Sequence, residues 1–190
     1  RVQKDRHRLS AIMIGVSTII ADNPLLTCRL ENSNNPIRII CDTNLRTPLN
    51  SQIVITAKEV PTIIATSCKD LEKHKPYGDA GCKIIVVDKK GDHIDLNLLM
   101  ERLGEEKIDS ILLEGGSTLN WSALESKIVS KVQAYISPKI FGGTGSKTPV
   151  DGPGVRTPND AFLLKNSRMI EVGEDILIES EVDYNVHGNC

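Results

Sequence analysis

The segment Glu114-Gly115-Gly116-Ser117-Thr118 holds the strongest chemical signal in the chain. A carboxylate, two glycines and two hydroxyls stand between an apolar run (residues 110–113) and a helix-like stretch (residues 118–128). Glycines let a ligand approach the backbone, and a helix N-terminus offers unpaired N–H groups and the positive end of the dipole. Such a junction suits a pyrophosphate. Glu114, at the carboxyl end of a parallel-type strand, would face the ligand crevice of an α/β sheet. The same residues also read as a plain strand-to-helix turn with Ser117 as N-cap.

A second constellation runs from Thr18 to Arg29. Val16, Ile19 and Ile20 suggest a short helix packed on a sheet, stopped at Asp22-Asn23-Pro24 because a residue before proline disfavours helix. The loop that follows carries Thr27 and Arg29, with Asp22 at its entry; its bland alternative is an Asx-stabilised turn with a solvated arginine. A third group, Asp42-Thr43-Asn44-Leu45-Arg46, follows another apolar run. It suits a phosphate or ribose, or is a surface turn.

The elements that must position these groups are legible as short β-branched runs at residues 11–15, 37–41, 62–66, 83–87 and 110–113. Nearly unbroken apolar runs of this length suit strands buried on both faces, as in parallel sheets covered by helices. Residues 95–106 form a helix with Leu96, Leu99, Met100 and Leu103 on one face and Asp95 as N-cap, and residues 69–74 a shorter one. In the last third, residues 132–140 and 175–182 alternate as strands with one solvated face. Between them, residues 142–158 carry five Gly and three Pro and read as a long loop. The expectation is an α/β domain with a mixed, mainly parallel sheet and antiparallel C-terminal strands.

Composition narrows the function. The 23 basic and 25 acidic residues give a net charge of −2, which disfavours a basic nucleic-acid glove or a membrane-surface patch. Aromatics at 3% leave few base-stacking platforms. The five cysteines are odd in number, widely spread and without a Cys-x-x-Cys, so neither a disulfide framework nor a structural zinc site is expected, and reduced thiols fit a cytoplasmic protein. Gly142-Gly143-Thr144-Gly145 lacks the third glycine of a dinucleotide fingerprint, and Ser146-Lys147-Thr148 lacks the glycine of a P-loop ending. No Gly-x-Ser-x-Gly and no His-Glu-x-x-His occurs. The charged opening at residues 1–10 has no initiator Met and reads as part of a longer protein.

The ordered blocks AIMIGVSTIIADNPLLTCR, NPIRIICDTNLRTPL, ILLEGGSTL and YISPKIFGG resemble the C-terminal reductase domain of bifunctional bacterial riboflavin biosynthesis proteins, from about Arg6 to Val182. The resemblance implies a dihydrofolate-reductase-like three-layer α/β/α fold and NADPH-dependent reduction of 5-amino-6-(5-phosphoribosylamino)uracil to its ribitylamino counterpart. It implies cofactor contacts at Thr18, Asp22 and Thr43, and at Gly116, Ser117, Thr118, Leu119, Asn120, Trp121 and Ser122. Substrate contacts fall on Arg6, Leu26, Arg29 and Glu114, with Arg6 and Arg29 gripping the phosphate. Asp22 would orient a proton source, and Arg46 would support the cofactor or neighbour its 2′-phosphate. A homodimer through the C-terminal strands and a linked zinc deaminase domain are implied as well. The family's opening Lys-x-Ala-x-Ser-x-Asp-Gly strand and Trp-bearing segment lie upstream of Arg6 and are not in this sequence, so residues 1–190 read as a single reductase domain lacking its first strand. Ser130-Lys131 replaces the usual Asp-Glu pair. Two alternatives stand beside this reading: the archaeal and fungal type of reductase, which takes the 2,5-diaminopyrimidinone, and a non-catalytic dimerisation or ligand-sensing module of the same fold.

Overall fold

In the computed structural model, which describes residues 1–140, 142, 145 and 148–185, the chain alternates helices and strands for its first two thirds. The order is α1 (Val2–Arg8), β1 (Ala11–Gly15), α2 (Val16–Asp22), β2 (Ile37–Cys41), α3 (Gln52–Ile55), β3 (Thr62–Thr66), α4 (Leu71–Asp79) and β4 (Lys83–Val86). A small hairpin of β5 (Lys89–Lys90) and β6 (His93–Ile94) follows, then α5 (Leu96–Glu105), β7 (Ile111–Gly115) and α6 (Ser117–Glu125). The chain closes with β8 (Lys131–Ile136), a 3₁₀ turn (Pro158–Asp160), β9 (Leu163–Val172) and β10 (Asp175–Asp183).

Five strands form a parallel sheet in the order β4-β3-β2-β1-β7. Right-handed crossovers explain the layers. Stepping from β1 outward to β4 puts α2, α3 and α4 on one face, where Val16, Ile19, Ile53, Val54 and Tyr77 cluster with Ile12, Ile14, Ile40 and Ile64. The jump back from β4 to β7 reverses direction and puts α5 and α6 on the other face, where Leu96, Leu99, Leu103 and Ala123 meet Ala11, Met13, Ile39 and Ile63. This is the expected three-layer α/β/α arrangement. The reversal makes the carboxyl ends of β1 and β7 a topological switch point, where such sheets open a crevice. The antiparallel strands form a sheet of their own, β8-β10-β9, beside the parallel one.

Several local expectations are corrected. The charged opening, not read as an element, is helix α1. The stretch expected at 69–74 starts behind its N-cap Asp70 and continues to Asp79 through Pro76. Ile20 is exposed, while Val16 and Ile19 carry the packing of α2. β8 stops at Ile136, ahead of Pro138, which has no N–H for a ladder. β9 and the β5–β6 hairpin are not legible in the sequence, because their mostly exposed side chains leave no clear apolar alternation. The glycine cluster at 142–145 and the pair Lys147-Thr148 fall largely outside the described residues, as do His187 and Cys190.

Candidate functional site

β7 runs two residues past the expected end at Leu113. Met13 pairs with Leu113 and Ile14 with Gly115, so Glu114 is the extra residue of a bulge. A bulge re-aims a side chain, and here it presents the Glu114 carboxylate to α1. Arg6 Nε donates to Glu114 Oε1 at 2.8 Å and Arg6 Nη2 to Oε2 at 2.6 Å, while Arg6 Nη1 donates to the Thr27 carbonyl at 3.0 Å. The bond to Glu114 raises the Arg6 pKa above its ordinary value. Arg6 therefore braces Glu114 and the loop. Arg29 is exposed and makes no ion pair among the described residues.

At the switch point, Gly115 has φ +98°, a conformation that favours glycine. Gly116, not Ser117, is the N-cap of α6 and brings no side-chain cap, so Ser117 is already helical. The Gly116 N–H donates to Thr18 Oγ1 at 3.3 Å, joining the start of α2 to the start of α6. A Cβ on Gly116 would also stand 3.3 Å from that oxygen. The first-turn N–H groups of α6, uncapped by any side chain among the described residues, form the kind of backbone cradle that fits a pyrophosphate. Asp22 is one turn beyond Thr18 on the same face of α2, and it is exposed.

Thr43 lies at the carboxyl end of β2, across β1 from this junction. Its carbonyl accepts from Ser67 N and Oγ and from Thr66 Oγ1, and its Oγ1 accepts from Ile94 N. The loop is braced from inside by Asp42, whose Oδ2 accepts from Thr47 N and Oγ1, both at 2.7 Å. Tyr77 Oη donates to the Thr47 carbonyl at 2.6 Å; burial, then the Asp42 charge, pushes that phenol's pKa up. Arg46 and Asn44 are exposed on the same loop.

The other expected contacts divide. Ser117 and Thr118 form the first turn of α6, at the cradle. Leu119 packs into the core, 3.8 Å from the position of a Cβ on Gly15, and Trp121 packs against Gly152 and edge-on to Phe162 at 5.7 Å. Asn120 Nδ2 donates to the Pro149 carbonyl and Ser122 Oγ to the Thr118 carbonyl. Leu26 is buried in the core at φ +54°, so what it can offer a ligand is its peptide group.

Sequence reasoning named Asp42 only as part of a polar run, and it missed Gln3 and Arg38. Arg38, inside the second apolar run, is fully buried. It donates to Thr62 Oγ1, Thr56 Oγ1 and the carbonyls of Leu25, Ile53, Thr56 and Val60. Burial pushes this guanidinium down to about 10.

The class is that of a parallel α/β/α domain with a glycine-rich helix start at its topological switch point. More specifically, the chain belongs to the RibD C-terminal domain family, whose model matches residues 1–178. It is 49% identical over 179 residues to the riboflavin biosynthesis protein RibD of Actinobacillus pleuropneumoniae, covering 94% of this chain and 48% of that protein. It is 35% identical over 185 residues to the 2,5-diamino-6-ribosylamino-4(3H)-pyrimidinone 5′-phosphate reductase of Methanothermobacter thermautotrophicus, covering 96% and 84%. The fold matches Acinetobacter baumannii RibD with a TM-score of 0.80 at 21% identity, over 96% of this chain and 49% of that one. The chain thus spans about half the length of the RibD proteins it resembles.

Proposed function

We propose that this chain is the NADPH-dependent reductase that converts 5-amino-6-(5-phosphoribosylamino)uracil to 5-amino-6-(5-phosphoribitylamino)uracil in riboflavin biosynthesis. The observation that carries the reading is the meeting of the bulged Glu114, the Gly115-Gly116 cradle and Thr18 at one switch point, on a chain of the RibD family. Gly116, Ser117 and Thr118 would hold the pyrophosphate, with Thr18 and Asp22 toward the nicotinamide and Thr43 farther along the sheet edge. A nicotinamide cofactor supplies a hydride when bound.

The chain's own residues do the rest. Arg29 binds the substrate phosphate through charge-assisted hydrogen bonds. Glu114 accepts from pyrimidine N–H groups or a ribityl hydroxyl with the lone pairs Arg6 leaves free. Asp22 orients the water that returns a proton to the substrate nitrogen. The basic Arg46 on the Thr43 loop would favour the 2′-phosphate of NADPH over NADH.

The test is NADPH oxidation followed by absorbance with the ribosylaminopyrimidine phosphate, its dephosphorylated form and NADH as comparisons. Arg29→Ala should raise KM for the phosphorylated substrate alone; oxidation that never depends on the pyrimidine would leave only the ligand-sensing module. A second reading, reduction of the 2,5-diaminopyrimidinone before deamination, is favoured by the name of the 35%-identical archaeal relative; running both pyrimidines separates them.

β7 pairs with β1 alone among the described residues and is half-exposed along most of its length, which suits a further strand on that edge. Ile136, Leu164 and Met169 are exposed on the C-terminal sheet, a surface suited to a homodimer. A linked deaminase domain accords with the half-length match to RibD proteins. No helix among the described residues is long and apolar enough to cross a membrane.

A further inference from the structure

Helix α1 carries Gln3 and Arg6 three residues apart, hence on one face. That face holds three consecutive residues of the loop after α2. Arg6 Nη1 donates to the Thr27 carbonyl at 3.0 Å, Cys28 Sγ donates to the Gln3 carbonyl at 3.3 Å, and the Arg29 N–H donates to Gln3 Oε1 at 2.7 Å. The start of the loop is pinned from the other side, where Asn23 Oδ1 accepts from Gln52 N and Arg38 Nη1 donates to the Leu25 carbonyl. The backbone is thus tied down at the residue whose side chain is left exposed.

We infer that Gln3 is a positioning residue for Arg29, fixing its peptide so that the guanidinium starts from one direction when it meets a phosphate. The inference rests on the reading of Arg29 as the phosphate contact. A long exposed side chain gives up rotamer freedom when it binds, and an anchored backbone reduces what else must be ordered at that moment. Only an acceptor is required at position 3, because the group it serves is an N–H.

That requirement makes the test. Steady-state kinetics with NADPH would compare Gln3→Ala, Gln3→Glu and Arg29→Ala on the phosphorylated and dephosphorylated ribosylaminopyrimidine, with a thermal melt of each variant. Gln3→Ala should raise KM for the phosphorylated substrate about five-fold, the scale of one lost hydrogen bond, with kcat and the dephosphorylated KM little changed. Gln3→Glu, whose carboxylate can accept the same N–H, should lie within about two-fold of the parent, against the same hydrogen-bond scale. An equal rise for both substrates, or a glutamate variant no better than alanine, would overturn the proposal. If Arg29→Ala raises the phosphorylated KM and Gln3→Ala does not, the positioning role alone fails. If Arg29→Ala has no such effect, the phosphate reading falls and this role with it.

Discussion

Breaking the Arg6–Glu114 pair should weaken the fold as well as the site, and its size can be worked from the geometry. Two charge-assisted bonds, at 2.8 and 2.6 Å, join side chains that are 13% and 22% exposed. A fully exposed pair contributes about 0–1 kcal/mol, and removing one partner of a buried pair costs about 3–5 kcal/mol. The observed burial lies between these limits and the geometry is bidentate, so the coupling should be about 2 kcal/mol. Glu114→Gln and Arg6→Met should each destabilise by about 2–3 kcal/mol, and the double variant should be little worse than the harsher single. Urea unfolding followed by circular dichroism measures all four corners of the cycle. Because Arg6 is held above its ordinary pKa, its contribution is complete below about pH 12 and is lost only when the pH rises through the folded value. The Arg6→Met loss should therefore be flat from neutral to mildly alkaline pH. A coupling below about 0.5 kcal/mol would refute the brace and return the pair to the class of solvated surface contacts. In the kinetic assay Arg6→Met should affect phosphorylated and dephosphorylated substrates alike if Arg6 acts by holding Glu114 and the Thr27 carbonyl, to which three of its five donors go.

Gly116→Val should weaken NADPH binding by at least about ten-fold in a calorimetric titration, since a side chain there crowds Thr18 and the cradle; unchanged affinity in a folded variant would make the turn merely structural. Arg38→Met should destabilise by about 1–3 kcal/mol, because the buried Ile53 carbonyl loses its donor, partly offset by no longer burying a charge. A neutral outcome would mean that carbonyl finds another partner. For the thiols, burial pushes Cys41 up to about 12 and Cys82 up to about 11. At Cys28, bonds from Ser33 and Leu30 and the Arg6 charge outweigh desolvation and lower the pKa. Iodoacetamide at pH 8 followed by peptide mapping should therefore label Cys28 well before Cys41 or Cys82; comparable rates would contradict the burial.

The parallel sheet was legible because its inner strands are buried on both faces and need unbroken β-branched runs: the segments at 11–15, 37–41 and 62–66 coincide with β1, β2 and β3. Asp95 as a helix cap was equally readable, since a cap acts on N–H groups two and three residues away. The carboxylate, glycines and hydroxyls at 114–118 could be recognised as chemistry for the same local reason. Arrangement was another matter. That Glu114 sits in a bulge depends on the register of β7 against β1, which no local pattern encodes. That Arg6 pairs with Glu114 depends on a helix 108 residues away in sequence lying across the end of that strand. The roles of Gln3 and Arg38 arise in the same way. A glutamine on a seven-residue helix and an arginine in an apolar run acquire meaning only from the carbonyls and N–H groups the fold brings to them. Local free energies, from burial pattern, capping and backbone conformation, are written in neighbouring residues, whereas a hydrogen bond between distant segments is chosen by how the whole chain packs.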